Sequence, residues 1–235
     1  LDLNLEKYRD KYWKIGSCEK LFTTLEENTV SLGSMKISAY IRPFQDTVSY
    51  WEKTLSKISE TVETLLQVQK KWMHFLNIFE VDTMQKQLPE ETLKFNQVNE
   101  IWTSIMDEIA IIRNAHQATH KEGLMDTLLK LKIELEHIQK QLDDYLEVKR
   151  QEFPRFYFLS DSDLLEILGQ QRDPFSVQKH LKNCFAGITE LVITKYKDKK
   201  HQEGYQSIAM KNYTEEMKFV QPVPLKGPVE SWLAK

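Results

Sequence analysis

The sequence predicts a mainly α fold: elongated antiparallel helical bundles with a small antiparallel β patch near the C-terminal end. Three observations predict it. Apolar residues recur in alternating steps of three and four through most of the chain, the period of a helix face. Only seven glycines and seven prolines interrupt 235 residues, which suits helix-rich globular units and argues against disorder. Beyond Ile188 the helical period gives way to short β-prone runs.

Taken in order, Ser17 is placed to cap a helix carrying Leu21, Phe22, Leu25 and Val30, and Arg42-Pro43 separates it from the next element. From Val48 the stripe runs through Trp51, Leu55, Ile58, Val62, Leu65, Trp72, Leu76 and Phe79, with only Gln69 polar upon it. At about 1.5 Å per residue this helix of roughly 35 residues spans on the order of 50 Å, the dimension of a rod or a lever. Leu88-Pro89-Glu90-Glu91 starts a second long helix, with proline in its first turn and acids at the positive end of its dipole. It continues through Val98, Trp102, Ile105, Ile109 and Ile112.

Gly123 breaks the pattern before a third seam at Leu124, Leu128, Leu131, Leu135, Ile138, Leu142 and Tyr145. Pro154 disfavours helical geometry in Phe153 and so ends this helix. Ser160 with Asp163 three residues on resembles a capping box for Leu164 to Leu168, and Asp173-Pro174 starts another helix to Phe185, with Gly187 beyond its end. Leu191-Val192-Ile193, Ser207 to Met210 and Met217 to Val220 are the β-prone runs, set around the polar loop KYKDKKHQEG. Two regions follow: 1–153, an elongated helical bundle, and 154–235, short helices plus the β patch. The short connections favour a self-contained bundle over an intermolecular coiled coil.

Charge excludes some functions. The formal net charge of −3 supplies no positive field for nucleic acid or an acidic membrane, so neither is expected as a partner. Cys18 and Cys184 lie far apart and outside any CxxC pair, which fits a reducing compartment rather than a disulfide framework. No run reaches the roughly 18 apolar residues of a membrane span, and the opening LDLNLEKYRD lacks the order of a secretory signal. An intracellular, soluble protein is expected. An opening on Leu1 and an end at Lys235, just as VESWLAK begins a helical pattern, suggest a piece of something longer.

Catalytic chemistry finds little support. The closest glycines are 17 residues apart, so neither GxxxxGK[ST] nor GxGxxG exists. His116 and His120 could share a helix face at i, i+4, but no HExxH, third ligand or cysteine pair supports them. His180 and Cys184 repeat the spacing without a group to orient the imidazole. Asp143-Asp144 and Glu90-Glu91 point to different helix sectors, as solvated faces do. The four lysines of Lys195 to His201 are diluted by acids and lack interleaved stacking aromatics. No catalytic residue, cofactor site or metal site is therefore expected in the segment.

The most distinctive stretch joins Tyr145-Leu146-Glu147-x-Lys149-Arg150-x-x-Phe153-Pro154-Arg155-Phe156-Tyr157-Phe158 to Asp163-Leu164-Leu165-Glu166-Ile167-Leu168. It resembles the linker region of dynein heavy chains. Also similar are Gln69-x-x-Trp72 leading to Ile78-Phe79, Pro89-Glu90 with Phe95 and Trp102, the run Val177-Gln178-x-His180-Leu181-Lys182-x-Cys184-Phe185-x-Gly187-Ile188, and Val229-Glu230-x-Trp232-Leu233. The resemblance covers Gly16 to Leu233, and its spelling is nearer an axonemal heavy chain than a cytoplasmic one.

The resemblance implies a segment of an arch of helical bundles lying across the ring of ATPase modules and joining it to the cargo-binding tail. Its partners would be that ring in cis, the tail and its subunits through the rest of the chain, and the microtubule only indirectly. Its place would be the cytoplasm, the cytoskeleton and the ciliary axoneme. ATP and Mg would bind elsewhere in the full chain. On this reading Phe153, Pro154, Arg155, Phe156, Tyr157 and Phe158, with Leu164, Leu165 and Leu168, form a structural joint. The four aromatics are expected to bury large areas where the long helix stops, and Arg155 to cap carbonyls or stack on a ring. One departure stands out: members of the family commonly carry Ser-x-Glu-Gly-Glu after the Ile/Met strand, whereas here Ile208-Ala209-Met210-Lys211 leads to Asn212-Tyr213-Thr214-Glu215-Glu216, without glycine. A static spectrin-like scaffold or protein-interaction module is the alternative, sharing the seams but not the FPRFYF break.

Overall fold

The computed structural model describes residues 1–170, 173–197 and 203–235. Among them are nine α-helices and five strands: β1 (Leu5–Tyr8), β2 (Tyr12–Ile15), α1 (Glu19–Lys36), α2 (Gln45–Phe79), α3 (Asp82–Gln87), α4 (Pro89–Ile112), α5 (Ala115–Thr119), α6 (Leu124–Glu152), α7 (Asp161–Gly169), α8 (Pro174–Cys184), β3 (Glu190–Lys197), β4 (Glu203–Lys211), β5 (Glu216–Pro224) and α9 (Val229–Leu233). The mainly α fold with a small antiparallel sheet near the C-terminal end is as the sequence predicts. The chain divides into two compact units, Leu1–Leu76 with Leu93–Ile138, and Asn77–Thr92 with Gln139–Lys235.

In the first unit the seams of the three long helices close on one another. Val62, Leu65, Val68, Trp72 and Phe75 of α2, Trp102 of α4 and Leu128, Leu135 and Ile138 of α6 are completely buried. Gln69, the polar interruption, is also buried. Its carboxamide pairs with a backbone: Oε1 accepts from the Ile15 N–H at 2.6 Å and Nε2 donates to the Ile15 carbonyl at 2.8 Å. It therefore ties α2 to the end of β2, and Tyr12 of that strand sets its ring edge-on to Trp72 at 5.2 Å. The Trp72 indole N–H donates to Asn99 at 2.8 Å.

Two expectations for this unit fail locally. Ser17 is not the cap of α1; Cys18 holds that position without a side-chain hydrogen bond. Val30 is 64% exposed: the buried residues of α1, Leu21 and Leu25, both lie in its first half, and its last turn is held by the exposed pair of Lys36 with Glu52. The β1–β2 hairpin was not expected: its turn uses Arg9 and Asp10 at positive φ in place of glycine.

The second unit holds the shorter elements. Pro89 begins α4 as expected, Ser160 caps α7 by accepting from the Asp163 N–H, and Asp173 caps α8 by accepting from the Phe175 N–H with Pro174 following it. The strands form one antiparallel sheet in the order β3-β4-β5. The glycine-free β4–β5 turn is held by Asn212, whose Oδ1 accepts from the Thr214 and Glu215 N–H groups and the Thr214 hydroxyl. This Asx arrangement supplies by side chain the turn that glycine would permit by conformation. Of the polar loop, Lys195 and Lys197 are exposed residues of β3 and the remainder of its lysines lie outside the described residues.

Candidate functional site

The aromatic joint lies wholly in the second unit and is built by a change of helical pitch. At the end of α6 the Phe153 N–H still bonds the Lys149 carbonyl, four residues back. Beyond it, Phe156 bonds to Phe153 and Leu159 to Phe156, three residues back, around a 3-10 turn over Pro154–Phe158. Three residues per turn stack every third side chain in one column. Phe153, Phe156 and Leu159 form that column and are 6%, 0% and 4% exposed.

Tyr157 and Phe158 point elsewhere, at 53% and 74% exposure. The expectation that all four aromatics are buried is thus corrected: a 3-10 turn has one inward column, and two of the four rings fall outside it. Pro154 and Arg155 are exposed as residues, yet the Arg155 guanidinium both caps and stacks. Its Nη1 donates to the Cys184 carbonyl at the end of α8 at 3.1 Å, and its centre lies 4.6 Å from the Phe185 ring centroid. Phe153 packs edge-on against Phe156 at 4.9 Å. Leu164, Leu165 and Leu168 of α7 are buried with Ile167.

Polar contacts fix the surrounding elements. The Arg150 guanidinium donates to Asp161 at 2.6 Å, spanning the turn from α6 to α7. The Tyr157 hydroxyl donates to Glu147 at 2.7 Å, an exposed bond that lowers the Glu147 pKa and raises that of Tyr157. Lys149 donates to Glu152 at 2.7 Å and to Glu230 of α9 at 2.6 Å. Burial opposes charge on Lys149, but its two carboxylate partners outweigh it and the ammonium is pushed up to about 12. Beside it, burial pushes the Tyr145 hydroxyl to about 12, where it bonds Gln87 of α3.

Between α7 and α8, Asp163, Glu166 and His180 bring ligand-type atoms within 4.8 Å of one another. The carboxylates bracket the imidazole, Asp163 3.6 Å from Nδ1 and Glu166 3.2 Å from Nε2, while Lys179 also bonds Glu166. Lys179 holds one Glu166 oxygen and His180 faces the other. His180 therefore faces carboxylates rather than Cys184. Burial pushes the Cys184 thiol up to about 11, against the influence of Arg155 and opposite to the activation of a nucleophile. In the first unit the His116 and His120 rings lie 4.4 Å apart, tilted by 37°, and His120 Nδ1 lies 2.8 Å from the His116 carbonyl.

The capping and stacking Arg155 and the apolar column answer to residues legible in the sequence. The pairing of Lys149 with Glu230 was missed, since nothing in either motif names a partner 81 residues away. The carboxylate bracket at His180 was also missed: its signal, Asp163 and Glu166 on one face of α7, reads equally as a solvated face.

A family model described as "Dynein heavy chain, N-terminal region 2" matches residues 1–235. Over 233 residues the chain is 46% identical to "Dynein axonemal heavy chain 2" of Mus musculus, covering 98% of this chain and 5% of that protein. It is 44% identical over 234 residues to the "Dynein-1-beta heavy chain, flagellar inner arm I1 complex" of Chlamydomonas reinhardtii, covering 99% of this chain and 5% of that one. Against human "Cytoplasmic dynein 2 heavy chain 1" identity is 38% over 207 residues, covering 88% and 5%. The chain thus spans about one-twentieth of the length of these relatives, 5% in each case.

Proposed function

This chain belongs to the dynein heavy chain family, and from that premise we propose that it is a force-transmitting linker segment, lying across the ATPase ring of the same polypeptide. It couples the ring's nucleotide cycle to the cargo-binding tail for microtubule-based movement. The ring in cis and the tail with its subunits are its partners, and the axoneme its setting, a placement supported by the names of the relatives above. ATP and Mg act elsewhere in the heavy chain; here no two glycines lie closer than 17 residues, too far apart for a phosphate loop.

One observation carries this reading. The 29-residue helix α6 ends at Glu152, just before Pro154, and passes into a buried column of Phe153, Phe156 and Leu159. Arg155 ties the same turn to the end of α8. A helix end packed this way hands bending load to its neighbours, whereas a helix ending in solvent would yield in its last turn.

The test uses an intact heavy chain with Phe156→Ala. Softening the buried column while leaving the ring untouched is expected to retain ATP turnover and slow microtubule gliding. Gliding at the parent rate in a protein of lowered melting temperature would remove the joint from the mechanism.

A further inference from the structure

Between α8, the three-stranded sheet and α9, within the second unit, lies a cavity of about 340 Å³. Phe185, Leu191, Met210, Phe219, Val223 and Leu233 line it, and each is only half-buried. By contrast Leu164 and Leu168 of α7, in the same unit, are 0% exposed. The volume is more than twice that of a dry engineered cavity of about 150 Å³ that accepts benzene, so more than one apolar side chain is needed to fill it.

The sheet cannot close the cavity itself because its outer strand leaves the ladder there. Ser207 pairs with Val223 and Ala209 with Lys218, so one residue of β4 faces four of β5. The displaced stretch sends Phe219 and Gln221 to the cavity wall and leaves Val220 fully exposed.

We propose that this cavity is the docking site for the heavy-chain residues directly following Lys235 in the full-length protein, which insert apolar side chains into it. The inference rests on the reading of this chain as part of a longer dynein heavy chain. Trp232, Leu233 and Lys235 form part of the wall, so backbone leaving Lys235 starts at the cavity itself. A segment tethered there meets the site at a high effective concentration, which no free partner matches. The matching family region is described as N-terminal, and this segment covers only 5% of the relatives' length, which leaves chain to follow it. The chemistry agrees: among the described residues Lys235 is the one charged residue of the lining, which selects an apolar occupant. A second copy fits less well, because a stable dimer uses about 20–30 residues a side and thirteen of the described residues line this cavity.

Photocrosslinking in the intact heavy chain tests the assignment. Phe219, and in a separate protein Val223, is replaced by benzoylphenylalanine, the protein is irradiated, and adducts are mapped by peptide mass spectrometry. The expected adduct at both positions is intramolecular and joins the probe to the first proteolytic peptides after Lys235. An adduct to another copy, to a different subunit or to a remote part of the heavy chain would overturn the proposal, as would no adduct from either probe. Microtubule gliding by the Phe156→Ala heavy chain reports separately on the motor reading: a parent rate there, with the adduct formed here, would count against that reading and leave this one standing.

Discussion

The Lys149 ammonium of α6 lies 2.6 Å from a carboxylate oxygen of Glu230 in α9, with side chains 17% and 6% exposed. Lys149 keeps a second partner in Glu152, whereas Glu230 Oε2 is buried without a hydrogen bond among the described residues. Breaking such a pair is therefore asymmetric. Lys149→Met strands a buried carboxylate and is expected to cost about 3–5 kcal/mol. Glu230→Gln leaves Lys149 with Glu152 and should cost less. Urea unfolding of both variants checks this; equal midpoints for the two would show that burial of Glu230 does not govern the pair.

The 3-10 column separates aromatics that look alike in sequence. Phe156→Ala empties a fully enclosed site and is expected to lower stability by about 3–5 kcal/mol. Phe158→Ala, at a ring 74% exposed, should stay within about 0.5 kcal/mol of the parent. Thermal melts of the two proteins decide it, and comparable losses would refute the assignment of inward and outward faces.

Between α7 and α8, hydrogen bonding to Lys179, opposed by some burial and aided by His180, lowers the Glu166 pKa below its ordinary 4.5. A carboxyl lowered in the folded state binds fewer protons there than in the unfolded chain, so stability rises with pH across that interval. The stabilisation is complete above 4.5 and is lost as pH falls through the folded value. Lys179→Ala is therefore expected to narrow the stability difference between neutral and acid solution. Denaturant titrations at pH 7 and pH 3 measure it; an unchanged difference would mean that the contact is not linked to protonation.

Cys184 carries the opposite sign. Its thiol is held near 11, against an ordinary 9.0, by burial. The folded state keeps its proton longer than the unfolded chain, so this group withdraws stability as pH rises from 9.0 towards 11. At pH 8 the thiolate fraction is about a hundredfold below that of an ordinary cysteine. Iodoacetamide labelling followed by mass spectrometry should find Cys184 far slower to react in folded than in urea-unfolded protein. Similar rates would contradict the enclosed thiol.

Elements set by periodicity and by proline were legible in the sequence: the end of α2 at Phe79, the start of α4 at Pro89 and the start of α8 at Pro174 all follow from side chains within a few residues. The β1–β2 hairpin was not, because Arg9 and Asp10 take positive φ without the glycine that announces such a turn. The joint was half legible. Pro154 marks the break, but only the pitch beyond it decides that Phe153 and Phe156 turn inward while Tyr157 and Phe158 do not. Contacts such as Arg155 with Cys184 depend on how α8 returns to the turn, which no local pattern encodes.

Gln69 sets the helix-seam reading of the sequence against the structure most sharply. A seam with one polar interruption invites Gln69→Leu as a stabilising change, since leucine continues the stripe and buries more apolar surface. The fold forbids that gain. Ile15 is 2% exposed, and its N–H and carbonyl are both bonded by the Gln69 carboxamide, at 2.6 and 2.8 Å. Leucine can serve neither group, and a buried backbone polar group left unsatisfied costs about 1–3 kcal/mol. With two such groups stranded, the loss exceeds what the added apolar area returns. Gln69→Leu is expected to lower the urea midpoint, and Gln69→Glu, which still accepts from the Ile15 N–H but sets a carboxylate against its carbonyl, to lower it too. Hydrogen exchange at the Ile15 amide should speed up in the leucine variant; a stabilised protein with that amide still protected would restore the simple seam.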